Sequence, residues 1–205
     1  MNLATSYIAF TPSVKAFQEK FCSRRSYARM EQMSGWQNEV TPQLKHFLST
    51  MDSFYLSTSN ASGQPYIQHR GGPKGFLKVI DNKTLVFADF SGNRQYISTG
   101  NLSENNKAFI FIMDYPSKTR VKIWGTAKVM EDDKELLESL SDASYKARIE
   151  RVIVFRVEAW DINCRQHIKQ RFTQEDLKAI TDPLDKKILE LEGIIPKHKI
   201  NNENR

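Results

Sequence analysis

The chain has 205 residues, of which 40% are hydrophobic and 26% are charged, and its formal net charge is +6. This length fits one domain with a sizeable core, and the composition is that of a globular protein and not of a disordered chain. Two cysteines far apart in the sequence exclude a disulfide scaffold and a cysteine-rich zinc site. The sequence shows no secretory signal and no apolar run that could cross a bilayer, so we expect a cytoplasmic protein with no membrane partner.

The positive charge is spread along the chain in short clusters such as Arg24-Arg25. No run of about five to eight basic residues, the pattern typical of nucleic-acid binding, is present. The charge therefore indicates a solvated basic surface or an anionic small ligand, and we expect no nucleic-acid partner.

Two helices are predicted near the N-terminus, and both begin at a Thr-Pro pair. Thr11-Pro12 and Thr41-Pro42 each place a capping hydroxyl before a proline at the first helical position. Apolar residues follow both pairs at helical spacing. The intervening residues, 23–39, are expected to be mainly loop with some helix.

The middle of the chain predicts six or seven strands separated mostly by tight turns. The predicted strands are 53–59, 66–70, 76–80, 84–90, 108–113, 120–130 and 152–159. A helix is expected to begin near Asp132-Asp133, before the last strand. This pattern predicts an α+β fold that is mainly β, an antiparallel barrel with flanking helices. No G-x-G-x-x-G follows the first strand, which argues against a Rossmann domain.

The C-terminal part of the chain is predicted to be helical again. Thr173 and Asp176 form a start that resembles a capping box. Asp182-Pro183 is expected to begin a second helix, which Gly193 ends. We therefore predict one domain over 1–172 and a C-terminal helical extension with a polar tail over 173–205.

Two glycine-containing segments in the middle of the chain are candidate binding sites. Gln68–Leu77 holds three glycines and a proline between strands, so its backbone amides could approach a flat ligand or a phosphate beside Arg70. The alternative is a plain Gly-Pro turn. In Phe90–Leu102 a helix is expected to begin near Asn93, so that its amides and Arg94 would form a phosphate cradle. The alternative there is a helix cap with one exposed arginine.

A third candidate segment follows the last strand. Trp160, His167 and Arg171 offer a ring for stacking, a hydrogen-bonding imidazole and a fixed cation. No serine lies in a G-x-S-x-G elbow, and the four histidines lack metal-ligand spacing, so we expect neither a hydrolase nor a metal site.

Several motifs occur together in a specific order between about Phe10 and Phe172. They are Gln68-His69-Arg70-Gly71-Gly72-Pro73, Gly75-Phe76-Leu77, Phe87-Ala88-Asp89, Gly92-Asn93-Arg94-Gln95-Tyr96, Gly100-Asn101-Leu102, Asp114-Tyr115, Lys122-Ile123-Trp124-Gly125-Thr126-Ala127 and Asn163-Cys164-x-Gln166-His167-Ile168. In this order they resemble the pyridoxamine 5'-phosphate oxidase-like family of FMN-binding split barrels.

The resemblance implies a split-barrel homodimer that binds FMN at the subunit interface. It places Arg70 at the flavin or ribityl chain, residues 93–95 at the phosphate, Arg120 or Lys122 at the pyrimidine edge, and the third segment as a closing element from the partner subunit. The cofactor-binding residues that it implies are Arg70, Gly71, Gly72, Phe76, Leu77, Lys78, Ala88, Asp89, Asn93, Arg94, Gln95, Ser98, Asn101, Arg120, Lys122, Trp160, His167 and Arg171. No catalytic side chain is assigned, because the flavin itself carries the redox chemistry.

The chain departs from the family's oxidase pattern in two places. That pattern has Ser-Arg-Lys at the phosphate where this chain has Asn93-Arg94-Gln95, so one cation is missing unless Lys74 or Lys78 replaces it. The Tyr-x-x-x-Arg-x-x-x-Ser segment for pyridoxal phosphate has no match between Asp132 and Glu150. We therefore expect an FMN-dependent oxidoreductase with an open small-molecule substrate, and NADH or NADPH as candidate electron donors. The alternatives are a non-enzymatic flavin carrier, sensor or store, and a haem or deazaflavin binder on the same fold.

Overall fold

The computed structural model describes residues 5–33, 35–131, 133–163 and 165–194. Within these ranges the chain forms six α-helices and seven strands. The helices are α1 (Pro12–Lys20), α2 (Arg24–Met33), α3 (Pro42–Thr50), α4 (Ile97–Glu104), α5 (Lys134–Ser139) and α6 (Gln174–Ile194). The strands are β1 (Ser53–Ser59), β2 (Pro65–Gly71), β3 (Lys78–Val79), β4 (Thr84–Phe90), β5 (Lys107–Asp114), β6 (Thr119–Met130) and β7 (Ile149–Asn163).

The seven strands form one antiparallel sheet in the order β2-β1-β5-β6-β7-β4-β3. The sheet curls around a core but does not close, because β2 and β3 remain its two edges in the described part of the chain. The predicted fold class, a mainly β split barrel with flanking helices, is confirmed.

The alternation of side chains along β6 shows how the sequence directs the curvature of the sheet. Val121 and Ile123 point inward and are fully buried, whereas Lys122 and Trp124 lie on the outer face. Leu44 and Leu48 of α3 join the inward side chains in the main core. Burial of these aliphatic side chains, each worth about 1.5–3 kcal/mol, holds the helix against the sheet.

A second, smaller core lies on the other face of β4. Val86 and Ala88 pack there with Val152 of β7 and with Leu140, next to α5. Residues 85–89 of β4 are therefore all buried, although neighbouring residues point to opposite faces. This double burial fixes the end of β4, where Asp89 lies.

The predicted helix starts at Thr11 and Thr41 are confirmed. Each threonine accepts a hydrogen bond from a backbone amide, Val14 N at 3.3 Å and Leu44 N at 3.2 Å. The prediction that residues 23–39 are mainly loop was wrong, because the helix α2 (Arg24–Met33) occupies much of this segment. An ion pair between Arg24 and Glu31 joins its two ends and favours the helix.

Three predicted element boundaries were wrong. The strand predicted over 76–80 is only Lys78–Val79, because Phe76 and Leu77 turn into the core. The helix predicted near Asn93 begins at Ile97. The last strand is 15 residues long and extends the predicted 152–159 at both ends, since it pairs with both β4 and β6.

Contacts divide the chain into two compact units, Met1–Asp114 with Thr119–Gln166, and Tyr115–Lys118 with His167–Arg205. In the second unit, Thr173 N donates to Asp176 Oδ2 and Asp176 N donates to Thr173 Oγ1, which confirms the predicted capping box. The predicted second helix start at Pro183 was wrong, because α6 continues through this proline to Ile194. The polar tail, Asp132 and Cys164 lie outside the described residues.

Candidate functional site

A cavity of about 290 Å³ lies where the ends of β2 and β4 meet the start of β7 and the loop before α4. Its lining includes six of the predicted cofactor-binding residues: Arg70, Asp89, Asn93, Arg94, Gln95 and Ser98. The remaining lining residues are Tyr66, Gln68, Phe90, Gly92, Tyr96, Ile97, Thr99, Glu150 and Arg151. We call it the arginine cavity, because three guanidinium groups line it.

Asp89 joins two of these arginines. Its carboxylate accepts a hydrogen bond from Arg70 on one oxygen and from Arg151 Nη1, at 3.1 Å, on the other. Asp89 and Arg151 are directly paired across β4 and β7, and the side chains of all three residues are largely buried. Arg70 Nε is also buried and has no hydrogen-bond partner within the part of the chain that the structure describes. An orphaned N–H of this kind is costly unless a ligand or water meets it.

Arg151 stays charged in this setting. Burial opposes its charge, but Asp89 and Glu150 outweigh that effect, so the pKa of Arg151 lies above its ordinary value. Arg151 Nη2 donates to Glu150 Oε2 at 3.1 Å, and the Tyr96 ring lies 4.8 Å from the guanidinium carbon. The guanidinium is therefore held in place before any ligand arrives.

The loop before α4 has a strained backbone. Arg94 and Tyr96 both adopt left-handed conformations, with φ of 59° and 55°. Non-glycine residues in this region cost about 1–3 kcal/mol each and concentrate at functional sites. The Asn93 side chain supports the turn, because its Oδ1 accepts from Gln95 N at 3.4 Å.

Glu150 anchors this loop to β7. Its carboxylate accepts from Ser91 Oγ at 3.0 Å and lies 3.4 Å from Arg94 Nη2. The hydrogen bond from Ser91, together with the charges of Arg94 and Arg151, holds the pKa of Glu150 below its ordinary value. Glu150 is therefore ionised near neutral pH and orients two arginines.

The start of α4 opens into the arginine cavity. Tyr96 precedes the helix without a side-chain cap, and Ile97, Ser98 and Thr99 all line the cavity. The first amides of a helix have no intrahelical acceptor and carry the positive end of the helix dipole. Ser98 is nearly fully buried, and its hydroxyl donates to Gln68 Oε1 at 3.0 Å. This arrangement suits an anion.

Comparison with known proteins identifies the family. A family model for pyridoxamine 5'-phosphate oxidase matches residues 40–175. The chain belongs to the pyridoxamine 5'-phosphate oxidase family. The predicted resemblance is thereby confirmed. A search of curated protein sequences gives no match.

Three solved structures illustrate the similarity to known folds. HupZ from Group A Streptococcus is 17% identical, with 64% of this chain and 98% of that chain covered at a TM-score of 0.47. An FMN-binding protein from Syntrophomonas wolfei is 15% identical over 74% of this chain and 95% of that chain, at a TM-score of 0.43. HutZ, a haem storage protein from Vibrio cholerae, is 14% identical over 60% and 93%, at a TM-score of 0.39.

In the glycine-rich turn, Gly71–Leu77, the backbone amides of two glycines donate hydrogen bonds to carbonyl oxygens of the protein. Gly72 N donates to Asp52 O at 2.9 Å, and Gly75 N donates to Met51 O at 2.8 Å. A Cβ on Gly72 would lie 2.7 Å from Phe76 Cγ, so the glycine allows this ring to pack in the core. The contacts of Gly72 and Gly75 therefore favour the plain-turn alternative at these two positions. Gly71, the last residue of β2, pairs with Ser53.

Several other predicted site residues have structural partners. Lys78 Nζ donates to Ser139 O at 2.6 Å, and the buried Asn101 side chain donates to Thr58 Oγ1 at 3.0 Å. Phe76, Leu77 and Ala88 are core side chains. None of these five residues lines the arginine cavity.

The predicted cofactor-binding residues Arg120, Lys122 and Trp160 do not line the arginine cavity. Lys122 pairs with Asp161 at 3.2 Å and lies over the rings of Trp36 and Trp124, which stack at 4.5 Å. Trp160 belongs to the main core, and its Nε1 donates to Glu39 O at 2.7 Å. Arg120 Nε is buried without a hydrogen-bond partner among the described residues.

The predicted His167 and Arg171 belong to the second unit. His167 has a left-handed φ of 63°, and the Arg171 guanidinium lies 4.9 Å from the ring centre of Tyr115 in the same unit. Their assignment to the cofactor remains a prediction.

Sequence reasoning missed Gln68, Tyr96, Glu150 and Arg151 as members of this site. Gln68 and Tyr96 lie inside the quoted motifs, so their signal was present. Glu150 and Arg151 lie just before the predicted last strand, and only the pairing of β4 with β7 brings them to Asp89. An acidic residue ending one strand and a basic residue starting another would have been a usable signal once that pairing was known.

Among residues 5–33, 35–131, 133–163 and 165–194, no group of three or more His, Cys, Asp or Glu side chains could hold a metal ion. In the same ranges, no helix combines the length and hydropathy that a bilayer-spanning segment needs.

Proposed function

We propose that this chain binds FMN with the phosphate in the arginine cavity and acts as a flavin-dependent oxidoreductase. The observation that carries the proposal is the convergence of the uncapped α4 start with Arg70 and Arg94 on one cavity. Membership of the pyridoxamine 5'-phosphate oxidase family supports a flavin as the ligand. Helix-start amides combined with guanidinium groups are a common way to bind a phosphate.

The side chains of the cavity fit an anionic group. Among the described lining residues, the three arginines outnumber the two carboxylates, Asp89 and Glu150, although Arg151 also pairs with Glu131 outside the lining. Arg94 is the most accessible of the three, with 59% of its side chain exposed. The buried Arg70 Nε, which has no hydrogen-bond partner among the described residues, offers a further donor.

Bound FMN would supply the electron transfer, and the chain would supply binding and orientation. Arg94 and the first amides of α4 would hold the phosphate. Arg70, fixed by Asp89, would place a positive charge that favours the reduced, anionic flavin. We assign no acid or base role to any side chain.

We also propose a homodimer with FMN at the subunit interface. Pyridoxamine 5'-phosphate oxidase-like proteins are typically dimeric, and the outer face of β1 and β2 supports a partner here. Tyr55 is 37% exposed and Ile67 59% exposed on these neighbouring strands. Exposed apolar side chains clustered on a sheet are typical of an interface. His167 and Arg171 would then close the site from the partner, whereas Trp160 is a core side chain and takes no part.

The test is a visible spectrum of the purified protein, with mass identification of whatever is released on denaturation. We expect flavin absorbance and released FMN, or quenching of FMN fluorescence on titration into the apo-protein. A colourless protein that leaves FMN fluorescence unchanged would contradict the proposal. A haem or deazaflavin spectrum would identify that group, and not FMN, as the ligand.

Enzymatic action is tested separately from binding. NADH or NADPH should reduce the bound flavin and bleach its visible absorbance. A bound flavin that neither donor reduces and that turns over no oxidant would indicate a carrier or store.

A further inference from the structure

The arginine cavity contains a second cation for the phosphate that the sequence motifs did not indicate. The oxidase pattern of the family has a lysine where this chain has Gln95, and Lys78 was one candidate to replace it. Lys78 does not line the cavity, and its ammonium donates to Ser139 O at 2.6 Å. Lys74 is also not a lining residue.

We propose that Arg151, at the start of β7, supplies this second positive charge and makes the site selective for a phosphorylated flavin over riboflavin. Arg151 lines the same cavity as Arg94, and both contact Glu150. This inference rests on the proposed function, since it assigns the phosphate of FMN to this cavity.

The Arg151 guanidinium has donor capacity to spare. Its Nε donates to Glu131, its Nη1 to Asp89 and its Nη2 to Glu150, at 3.3, 3.1 and 3.1 Å. The Tyr96 side chain is a fourth hydrogen-bond partner. A guanidinium has five N–H donors, so these four contacts leave one for another acceptor. A preorganised arginine loses less side-chain entropy when it binds a phosphate than a free lysine does.

The position of Arg151 also explains why Gln95 is tolerated. Gln95 and Arg151 line one cavity from different elements, the loop before α4 and β7. Only 13% of the Arg151 side chain is exposed, so its charge is less screened by water than that of a surface lysine. One partly buried cation from β7 therefore replaces an exposed cation in the loop.

The experiment measures Kd for FMN and for riboflavin with the full-length protein, its Arg151→Met variant and a matched control, Arg156→Met. Arg156 is an exposed residue of the same strand that does not line the cavity. We expect Arg151→Met to weaken FMN binding about tenfold to a hundredfold and riboflavin binding by less than about threefold. Arg156→Met should change neither Kd, and Arg151→Lys should lose less than Arg151→Met.

A charge-relocation variant separates binding from folding. Gln95→Lys, combined with Arg151→Met, should restore at least part of the FMN affinity, which a purely structural arginine would not allow. Equal loss for FMN and riboflavin, no loss at all, or no recovery with Gln95→Lys would overturn the role of Arg151. If riboflavin binds too weakly to measure, the role of Arg151 is tested by the recovery of FMN affinity in the double variant with Gln95→Lys.

The outcomes also distinguish this inference from the proposed function. A wild-type protein that binds neither flavin would overturn both. A wild-type protein that binds FMN, with an unchanged FMN-to-riboflavin ratio in Arg151→Met, would overturn only the assignment of Arg151. Thermal unfolding of each variant, followed by circular dichroism, identifies the folded fraction to which each Kd refers.

Discussion

The glycine-rich turn (Gly71–Leu77) and the loop before α4 (Ser91–Tyr96) look alike in the sequence and differ in the structure. Both combine glycine with basic residues next to a strand. In the turn, the amides of Gly72 and Gly75 bond to carbonyl oxygens of residues 52 and 51. In the loop, two left-handed residues lead to an uncapped helix start that lines a cavity.

Glycine content alone therefore does not indicate a phosphate site. Whether a backbone amide can bind a phosphate depends on the acceptor it already has. An amide that donates to a carbonyl oxygen of the protein is not available to a ligand. Arg70 illustrates the point, since it directly precedes the turn in the sequence but its side chain lines the arginine cavity beside the loop.

The largest expected effect follows from Asp89→Asn. The change leaves the largely buried guanidiniums of Arg70 and Arg151 without their shared carboxylate, so we expect a loss of about 3–5 kcal/mol in the free energy of unfolding. Urea denaturation of the apo-protein measures this loss.

The matched control is Asp161→Asn, which breaks the more exposed pair with Lys122 and should cost at most about 1 kcal/mol. Saturating FMN should reduce the cost of Asp89→Asn, because the phosphate supplies negative charge to the cavity. Equal costs for Asp89→Asn and Asp161→Asn would contradict a special role for the buried network.

The next effect concerns binding. Arg94→Ala should weaken FMN binding by about 1.5–3 kcal/mol, because it removes a charge-assisted contact with the phosphate. The unfolding free energy should change little, since the side chain is mostly exposed. Fluorescence titration gives the FMN affinity, and Lys78→Met is the comparison, with an expected change in Kd below about twofold. Equal affinity in wild type and Arg94→Ala would place the phosphate elsewhere.

A pair of glycine substitutions compares the two segments directly. Gly72→Ala should destabilise the protein by about 1–3 kcal/mol, because the new Cβ would lie 2.7 Å from the Phe76 ring. Gly92→Ala should change the unfolding free energy by no more than about 0.5 kcal/mol, because a Cβ there meets no atom within 4 Å. Urea unfolding of both variants tests this, and the opposite ranking would mean that the turn is the more open segment.

The smallest effect is on an ionisation. Ser91→Ala removes the main hydrogen bond that lowers the pKa of Glu150, so this pKa should move up toward its ordinary value. A depressed carboxyl pKa stabilises the fold above the unfolded-state pKa, and this stabilisation is lost as pH falls through the folded-state pKa. Ser91→Ala raises the folded-state pKa of Glu150, so it should reduce the stabilisation and complete its loss at a higher pH. Carboxyl-carbon NMR titration measures the shift. An unchanged Glu150 pKa would show that the arginines alone set it.

Local sequence signals predicted much of the fold. The Thr-Pro pairs marked the starts of α1 and α3, and the strand predicted over 120–130 agrees with β6 to within one residue. These features depend on neighbours within a few residues, so the sequence displays them directly. The family motifs added the split barrel.

The features that could not be predicted depend on distant parts of the chain. Asp89 meets Arg151 only because β4 pairs with β7, and no local pattern encodes that pairing. Pro183 resembled a helix start but lies inside α6, although an interior proline costs about 3 kcal/mol and local propensity therefore favours a break there. The Gly72 turn resembled a ligand loop because the sequence does not show the acceptors of its amides.

The most direct test of the central claim is a pair of backbone amide NMR titrations, one with FMN and one with riboflavin. The difference between the two isolates the effect of the phosphate on each amide. We expect the largest differences over residues 92–99, with small differences over residues 72–76. Phosphate-dependent shifts concentrated at residues 72–76, with residues 92–99 unaffected, would contradict the account.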